Sequence, residues 1–330
     1  MKNILKMFAV LCLFACSAFA FAAKKSIVCV TYPEYDWVMN ILGEKSKSFD
    51  VTLIQNNGTD LHSYQPSVKD VAKISKCDIL VYVGGESDEW VEKAVSNAKN
   101  KKMVVVNMME VLGDKVREEE VVEGMQAEEE DEHDEHDGHD HDSHHHDENE
   151  EIEYDEHVWL SLKYAATITK EISNQIQKLD SANAAVYKAN TDAYTKSLSA
   201  LDAEAEKIVA SSSKKTILFA DRYPFRYFSD DYGLKYYAAF VGCSAESEAN
   251  FETVVFLSKK VDELSLGAVL TIEKSDKKIA KTVVSNTKSK NQQILEMDSL
   301  QSVTQSEIKG GRTYLSAMKK NLEVLKKALN

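Results

Sequence analysis

The chain has 330 residues, which is enough for two domains of about 150 residues, and its hydrophobic fraction of 43% is typical of globular proteins. Its formal net charge is −14, but residues 118–153 alone contain 19 Asp or Glu and no Lys or Arg, so the rest of the chain is nearly balanced. No basic patch stands out, which argues against a nucleic-acid-binding function.

The N-terminus has the pattern of an export signal. Lys2 and Lys6 flank the start of an apolar stretch at residues 7–15 that is too short to anchor a helix across a bilayer. The Ala-Phe-Ala run at residues 18–20 and the Ala pair at residues 22–23 offer cleavage sites, so we predict a signal peptide at residues 1–23 and a periplasmic or otherwise extracytoplasmic protein. Cys16 leaves open a second interpretation, in which the mature chain carries a lipid anchor.

Short β-branched runs alternate with helical segments in the first third of the chain. We predict strands at residues 26–31, 51–54, 78–83 and 103–106, and helices at residues 36–42, 67–75 and 87–97. Such alternation is typical of βαβ units around a parallel sheet. It stops at residue 118, where an insert of Glu, Asp and His begins, and we predict that residues 118–153 are disordered.

Two helices are predicted after the insert. Residues 158–178 have helical periodicity, and residues 181–210 contain neither Pro nor Gly. The second segment would form a helix of roughly 45 Å, which suits a strut between two domains.

The alternation returns near the C-terminus. We predict strands at residues 216–220, 234–240 and 268–272 and helices at residues 276–286 and 310–329. The predicted fold class is therefore α/β, with two lobes that each contain a mostly parallel sheet flanked by helices. The lobes span residues 24–180 and 213–330, and one long rigid helix at residues 181–212 joins them.

Four residues are candidate metal ligands. His62 and His157 are the two histidines outside the insert, and neutral imidazole is a common zinc ligand. Asp221 and Glu273 each follow a predicted strand directly, at the sheet edge where open α/β folds bind ligands. Alternatives stay open, since Glu273 suits a cap and Asp221 suits an ion pair with Arg222 or Arg226.

The remaining histidines and cysteines have other expected roles. Cys29, Cys77 and Cys243 show no C-x-x-C spacing, so we interpret them as small buried residues. The insert offers many weak metal sites of a kind that favours zinc over manganese. Its seven histidines are His133, His136, His139, His141, His144, His145 and His146.

Several motifs resemble the metal-specific solute-binding proteins of bacterial ABC importers, a family with zinc and manganese members. They are the His-x-Tyr-x-Pro loop at 62–66, the His-Val-Trp-Leu motif at 157–160, the Tyr-Phe…Tyr-Gly-Leu segment at 227–234, and the strand-end carboxylate Glu273. The resemblance implies a binding protein rather than an enzyme. It implies that the chain captures a metal ion, most simply Zn²⁺, between the lobes and delivers it to an importer permease, and we expect a monomer.

One position departs from the pattern of the zinc-type members, which usually place a third His five residues before the Tyr-Phe pair. Arg222 stands there, and a guanidinium cannot ligate a metal. Manganese-type members use a carboxylate, and Asp221 is adjacent, so the sequence leaves Mn²⁺ open. An extracytoplasmic metal buffer or adhesin without a transporter is the other alternative. A metallohydrolase is disfavoured because no H-E-x-x-H signature is present.

Overall fold

The computed structural model describes residues 24–126, 153–244 and 248–330. The predicted signal peptide at residues 1–23, with Cys16, and the seven histidines of the insert lie outside the described residues. Within the described ranges, no helix has the length and apolar character needed to cross a membrane.

The first sheet contains four parallel strands in the order β2-β1-β3-β4. The strands are β1 (Lys25–Cys29), β2 (Phe49–Leu53), β3 (Ile79–Tyr82) and β4 (Val104–Asn107). The helices are α1 (Tyr32–Leu42), α2 (Val68–Ile74), α3 (Glu89–Ser96) and α4 (Met108–Leu112). The predicted βαβ alternation is confirmed, and β3 is buried along its whole length, as expected for a strand covered on both faces.

Helix α1 begins four residues earlier than predicted. Thr31 and Glu34 form a capping box, in which Glu34 Oε2 accepts hydrogen bonds from the backbone of Val30 (2.8 Å) and Thr31 (3.1 Å). Pro33 lies in the first turn, where its missing N–H costs nothing. The cap and the proline therefore set the start of the helix, ahead of the apolar periodicity.

Two helices occupy the middle of the chain: α5 (Leu162–Leu179) and, after a short 3₁₀ turn, α6 (Ala184–Ser211). Helix α6 has 28 residues, as the composition predicted for a strut. It packs against α5 and α1 and also against the C-terminal helix, so it contacts elements from both ends of the chain. Its buried face includes Tyr187, Tyr194, Leu198 and Ile208.

The second sheet also contains four parallel strands, in the order β6-β5-β7-β8. They are β5 (Thr216–Arg222), β6 (Lys235–Phe240), β7 (Ala268–Ile272) and β8 (Gln293–Met297). Its helices are α7 (Arg226–Tyr232), α8 (Phe251–Glu263), α9 (Lys278–Asn286), α10 (Gln305–Lys309) and α11 (Tyr314–Ala328). The predicted fold class is confirmed, while the exact lobe boundaries stay a prediction.

The structure corrects the predicted start of the disordered insert. Residues 118–126 are described and contact strand β6 and helix α8: the backbone N–H of Gln126 donates to Ala239 O (2.9 Å), and Glu123 pairs with Lys260 (3.3 Å). Acidic composition predicted disorder here, but basic and backbone partners distant in sequence hold the segment in place. We call residues 117–126 the crossing segment.

Candidate metal centre

His62 lies in the loop that follows β2. Asp60 caps the 3₁₀ turn Leu61–Ser63 and accepts a hydrogen bond from the backbone N–H of His62 (3.1 Å). The imidazole is 6% exposed, and its Nδ1 lies 2.8 Å from Ser87 Oγ and 3.6 Å from Glu156 Oε2. The loop after β2 and the loop after β3 therefore fix the orientation of this ring together.

His157 is fully buried at the start of the segment that leads into α5. Its backbone N–H and its Nδ1 both lie 2.8 Å from Asp155 Oδ1, so one carboxylate oxygen orients the ring. Gly242, from the loop after β6, approaches the same ring at Cε1 and Nδ1. A Cβ at that glycine would come within 3.0 Å of His157 Cε1, so the close approach requires glycine.

The two imidazoles present their Nε2 atoms to each other at 3.1 Å. Two nitrogens on a tetrahedral zinc ion, with bonds of about 2.0–2.1 Å, lie roughly 3.3 Å apart. Both Nδ1 atoms are held by oxygen-bearing side chains, which is how proteins orient imidazole ligands from outside the coordination sphere. The spacing and orientation of the pair therefore fit a shared metal ion.

Cys243 completes a cluster with these histidines. Among the residues that the structure describes, Sγ of Cys243 and one ring nitrogen each of His62 and His157 all lie within 4.8 Å of one another. The interpretation of the cysteines as small buried residues is confirmed for Cys29 and Cys77 but is wrong for Cys243, which is only half-buried.

Burial and the neighbouring charges separate the two imidazoles electrostatically. Burial, assisted by His157, lowers the pKa of His62 to about 3, so this ring is neutral at neutral pH. Burial also acts to lower the pKa of His157, but the carboxylate of Asp155 outweighs it and the net pKa is raised.

A cavity of about 260 Å³ opens onto His62 and Cys243. Four glutamates line it: Glu86, Glu119, Glu153 and Glu156. Burial raises the pKa of Glu156 to about 7, and its Oε1 accepts a hydrogen bond from the backbone of Ser87 (2.8 Å). This acidic cavity gives a cation a favourable route to the ring nitrogens.

The two predicted carboxylate ligands lie around another cavity, of about 340 Å³. Both oxygens of Glu273 accept hydrogen bonds from the turn after β8, including Ser299 N (2.7 Å), Ser299 Oγ (2.8 Å) and Gln301 N (3.3 Å). Asp221 accepts from the backbone of Arg222 (2.9 Å) and Ile272 (3.4 Å). The structure thus brings His62 and His157 together and leaves Asp221 and Glu273 outside their cluster.

Arg222, at the position of the usual third His, forms an ion pair. Its Nη2 lies 2.5 Å from Asp60 Oδ2, and its Nη1 donates to Ser244 O (3.1 Å). Since Asp60 also caps the His62 turn, Arg222 ties that turn to the second sheet.

Sequence reasoning missed Gln301, which lies beside the pair. The amide oxygen of Gln301 lies 2.9 Å from His157 Nε2. Its amide nitrogen donates to both oxygens of Asp60 (3.2 and 3.1 Å). A single glutamine in a polar loop carries no sequence signal for this role.

Comparison with protein families identifies the family of the chain. The family model described as the periplasmic zinc-uptake complex component A matches residues 27–328. The chain belongs to this family. The resemblance drawn from the four motifs is therefore confirmed, and the membership agrees with the expectation of a binding protein rather than an enzyme.

Individual members of this zinc-uptake family align along most of the chain. The zinc-binding lipoprotein AdcA of Streptococcus pneumoniae serotype 4 is 31% identical over 99% of this chain and 61% of its own length. The high-affinity zinc uptake system protein ZnuA of Bacillus subtilis is 29% identical over 93% of this chain and 88% of its own. The chain spans little more than half the length of the streptococcal relatives it matches.

A solved structure supports the fold. The metal-dependent lipoprotein YcdH of Bacillus subtilis superposes with a TM-score of 0.71 at 25% identity, over 93% of this chain and 99% of that one.

Proposed function

We propose that this chain captures a zinc ion outside the cytoplasm and passes it to the permease of an ABC importer. The observation that carries the proposal is the convergence of His62 Nε2 and His157 Nε2 at 3.1 Å, with both Nδ1 atoms held from outside. The zinc-binding names of the family and its relatives support the choice of cargo.

The donor atoms favour zinc over manganese. Imidazole suits zinc, whereas carboxylate and water suit manganese, and Asp221 and Glu273 lie outside the cluster. Ligation by these two carboxylates stays a prediction. It would require the two carboxylates to come closer to the ring nitrogens of His62 and His157 than they lie in this structure.

Export and anchoring belong to the same proposal. A protein that hands zinc to an importer must meet the ion outside the cytoplasm, as the predicted signal at residues 1–23 provides. The pneumococcal relative is called a lipoprotein, which supports the lipid anchor at Cys16. The seven histidines of the insert would serve as accessory ligands that gather zinc for the protein.

Calorimetric titration of residues 24–330 with Zn²⁺ and Mn²⁺ tests the proposal. We expect tight one-to-one zinc binding, a loss of at least about 100-fold in affinity for His62→Ala, and weaker binding of manganese. As the control, a variant in which a Gly-Ser linker replaces residues 127–152 should keep the tight site, since the crossing segment is retained. Loss of tight binding in that variant would instead make the insert the main metal site.

A further inference from the structure

We propose that Cys243 supplies the ligand from the second lobe, so that the ion is held by a His₂Cys set made of His62, His157 and Cys243. This inference rests on the proposed function, because it names a donor of the same zinc site. It assigns a thiolate to a place where the sequence motifs suggest an imidazole or a carboxylate.

The distances among the three donor atoms suit this set. In a tetrahedral zinc site with a Zn–S bond of about 2.3 Å, a sulfur and a nitrogen ligand lie roughly 3.6 Å apart. The three donor atoms lie within 4.8 Å of one another, so binding requires a movement of about 1 Å or less at each donor. A side-chain rotation or a small shift of the loop supplies that.

The loop that carries Cys243 is already held against the histidines. Gly242 lies against the ring of His157, and the backbone N–H of Cys243 donates to Glu119 Oε1 (2.9 Å). Glu119 belongs to the crossing segment, which comes from the first lobe. The cysteine is therefore positioned by contacts on two sides.

Arg222 and Glu273, from the second lobe, do not belong to the cluster of donor atoms found among the described residues. Arg222 carries a positive charge and pairs with Asp60. The oxygens of Glu273 accept hydrogen bonds from the turn after β8. Among the described residues, Cys243 Sγ is the second-lobe donor atom that groups with the two ring nitrogens. Ligation would displace the hydrogen bond between its thiol and the Glu119 carboxylate.

A thiolate ligand has chemical consequences. When zinc binds, the S–H bond breaks, a Zn–S bond forms and the proton is released to water. A soft sulfur donor adds to the preference for zinc over manganese that the two imidazoles already provide. An open fourth position, filled by water, would ease release of the ion to a permease.

Cobalt spectroscopy of the protein tests the inference, because thiolate ligation to Co²⁺ gives a charge-transfer absorption in the near ultraviolet that imidazole and carboxylate do not. We expect this band in the Co²⁺-loaded wild type and its loss in Cys243→Ser. We also expect a decrease of at least about 100-fold in zinc affinity, measured against a competing chelator. Cys77→Ala, which removes a buried thiol elsewhere in the first lobe, should keep both the band and the affinity.

The possible outcomes separate this inference from the proposed function. A wild type that binds zinc tightly but shows no sulfur band overturns the role of Cys243 and leaves the zinc-capture proposal intact. Unchanged zinc affinity in Cys243→Ser, together with a large loss of affinity in Glu273→Gln or Asp221→Asn, also overturns the role of Cys243. In that case a carboxylate is the ligand from the second lobe, and the zinc-capture proposal stays intact. A wild type without tight zinc binding overturns the proposed function itself.

A second measurement on the wild type avoids any folding defect of the variant. Alkylation of Cys243 by iodoacetamide, followed by peptide mass spectrometry, should slow at least about tenfold in the presence of zinc, since a coordinated thiolate is a poorer nucleophile. The buried Cys29 and Cys77 are internal controls for global unfolding. An alkylation rate at Cys243 that zinc leaves unchanged would contradict ligation.

Discussion

Asp155 determines which nitrogen of His157 faces the metal centre. Its Oδ1 lies 2.8 Å from Nδ1, so the carboxylate holds this nitrogen and Nε2 is the nitrogen that faces His62. Ser87 Oγ and Glu156 Oε2 lie 2.8 and 3.6 Å from Nδ1 of His62. The carboxylates of Asp155 and Glu156 can therefore influence the affinity of the site for the ion without contacting the ion.

Asp155→Asn should weaken zinc binding by about tenfold while the fold is kept. The amide preserves the size of the side chain but removes the negative charge that favours an electron-rich imidazole, and such outer partners typically contribute about 10–100-fold in affinity. Competition with a zinc chelator measures the change. Asp50→Asn, at an exposed position on β2, is the matched control and should leave the affinity unchanged. Equal affinities for Asp155→Asn and the wild type would show that Asp155 has no such role.

Residue-level prediction succeeded where a residue type was scarce. His62 and His157 are the two histidines outside the insert, so the sequence indicated the pair before the structure placed their nitrogens 3.1 Å apart. Cys243 and Gln301 were missed because each is a single polar residue in a loop, with partners set by tertiary contacts. The pairing of Arg222 with Asp60 joins residues 162 positions apart, and no local pattern encodes it.

At the scale of elements, helices α1 and α6 are joined by a buried carboxyl. Asp36 on α1 accepts hydrogen bonds from Tyr194 on α6 (3.0 Å) and from Tyr32 (3.4 Å). Burial raises the pKa of Asp36 to about 6, above the ordinary value for an aspartate. The folded protein therefore holds the proton on Asp36 up to a higher pH than the unfolded chain does.

The raised pKa predicts a pH-dependent stability. A carboxyl whose pKa is higher in the folded state stabilises the fold fully below the pKa of the unfolded chain, about 3.9, and this contribution is lost as the pH rises through about 6. Asp36→Asn removes the titration. The free energy of unfolding of the wild type, relative to the variant, should therefore fall by about 3 kcal/mol between acidic and neutral pH.

Urea unfolding of both proteins across this range measures the difference. Asp192→Asn, at an exposed position on the same helix α6, is the control and should track the wild type at every pH. A constant difference between the wild type and Asp36→Asn would mean that Asp36 does not titrate in this window.

The elements themselves were largely predictable, and the misses have physical causes. The buried runs of β1, β3 and β7 and the long α6 follow from local composition and periodicity. Strand β8 was missed because its sequence (Q-I-L-E-M) is short and half-buried, without a clear period of two. Helix α8 (Phe251–Glu263) was missed as well. The crossing segment was taken for part of a disordered insert, since its partners Arg226, Tyr236 and Lys260 lie more than a hundred residues away.

At the scale of the whole molecule, zinc should act as a link between the lobes. His62 and His157 come from the first lobe, and Cys243 from the second. Binding to the folded state alone raises the free energy of unfolding, by about 4 kcal/mol when free zinc is 1,000-fold above Kd. We therefore expect zinc to raise the thermal midpoint of the wild type and a chelator to reverse the shift.

Differential scanning calorimetry of the wild type and His62→Ala, each with and without zinc, measures this linkage. The variant should show little zinc-dependent stabilisation at the same metal concentration. If His62→Ala were stabilised as much as the wild type, the stabilising site would have to lie elsewhere in the chain.

The identical strand order of the two sheets has a consequence for where the donors arise. The strand orders are β2-β1-β3-β4 and β6-β5-β7-β8, so β2 occupies the same position in the first sheet as β6 does in the second. His62 follows β2 and Cys243 follows β6, so the two halves offer the ion equivalent loops, each after an outer strand. The centre then has the pseudosymmetry of a duplicated unit, with His157 as the asymmetric addition. The donor residue in the loop after β6 can be exchanged without any change in the loop after β2. The metal preference of the protein can therefore change through substitutions in a single loop.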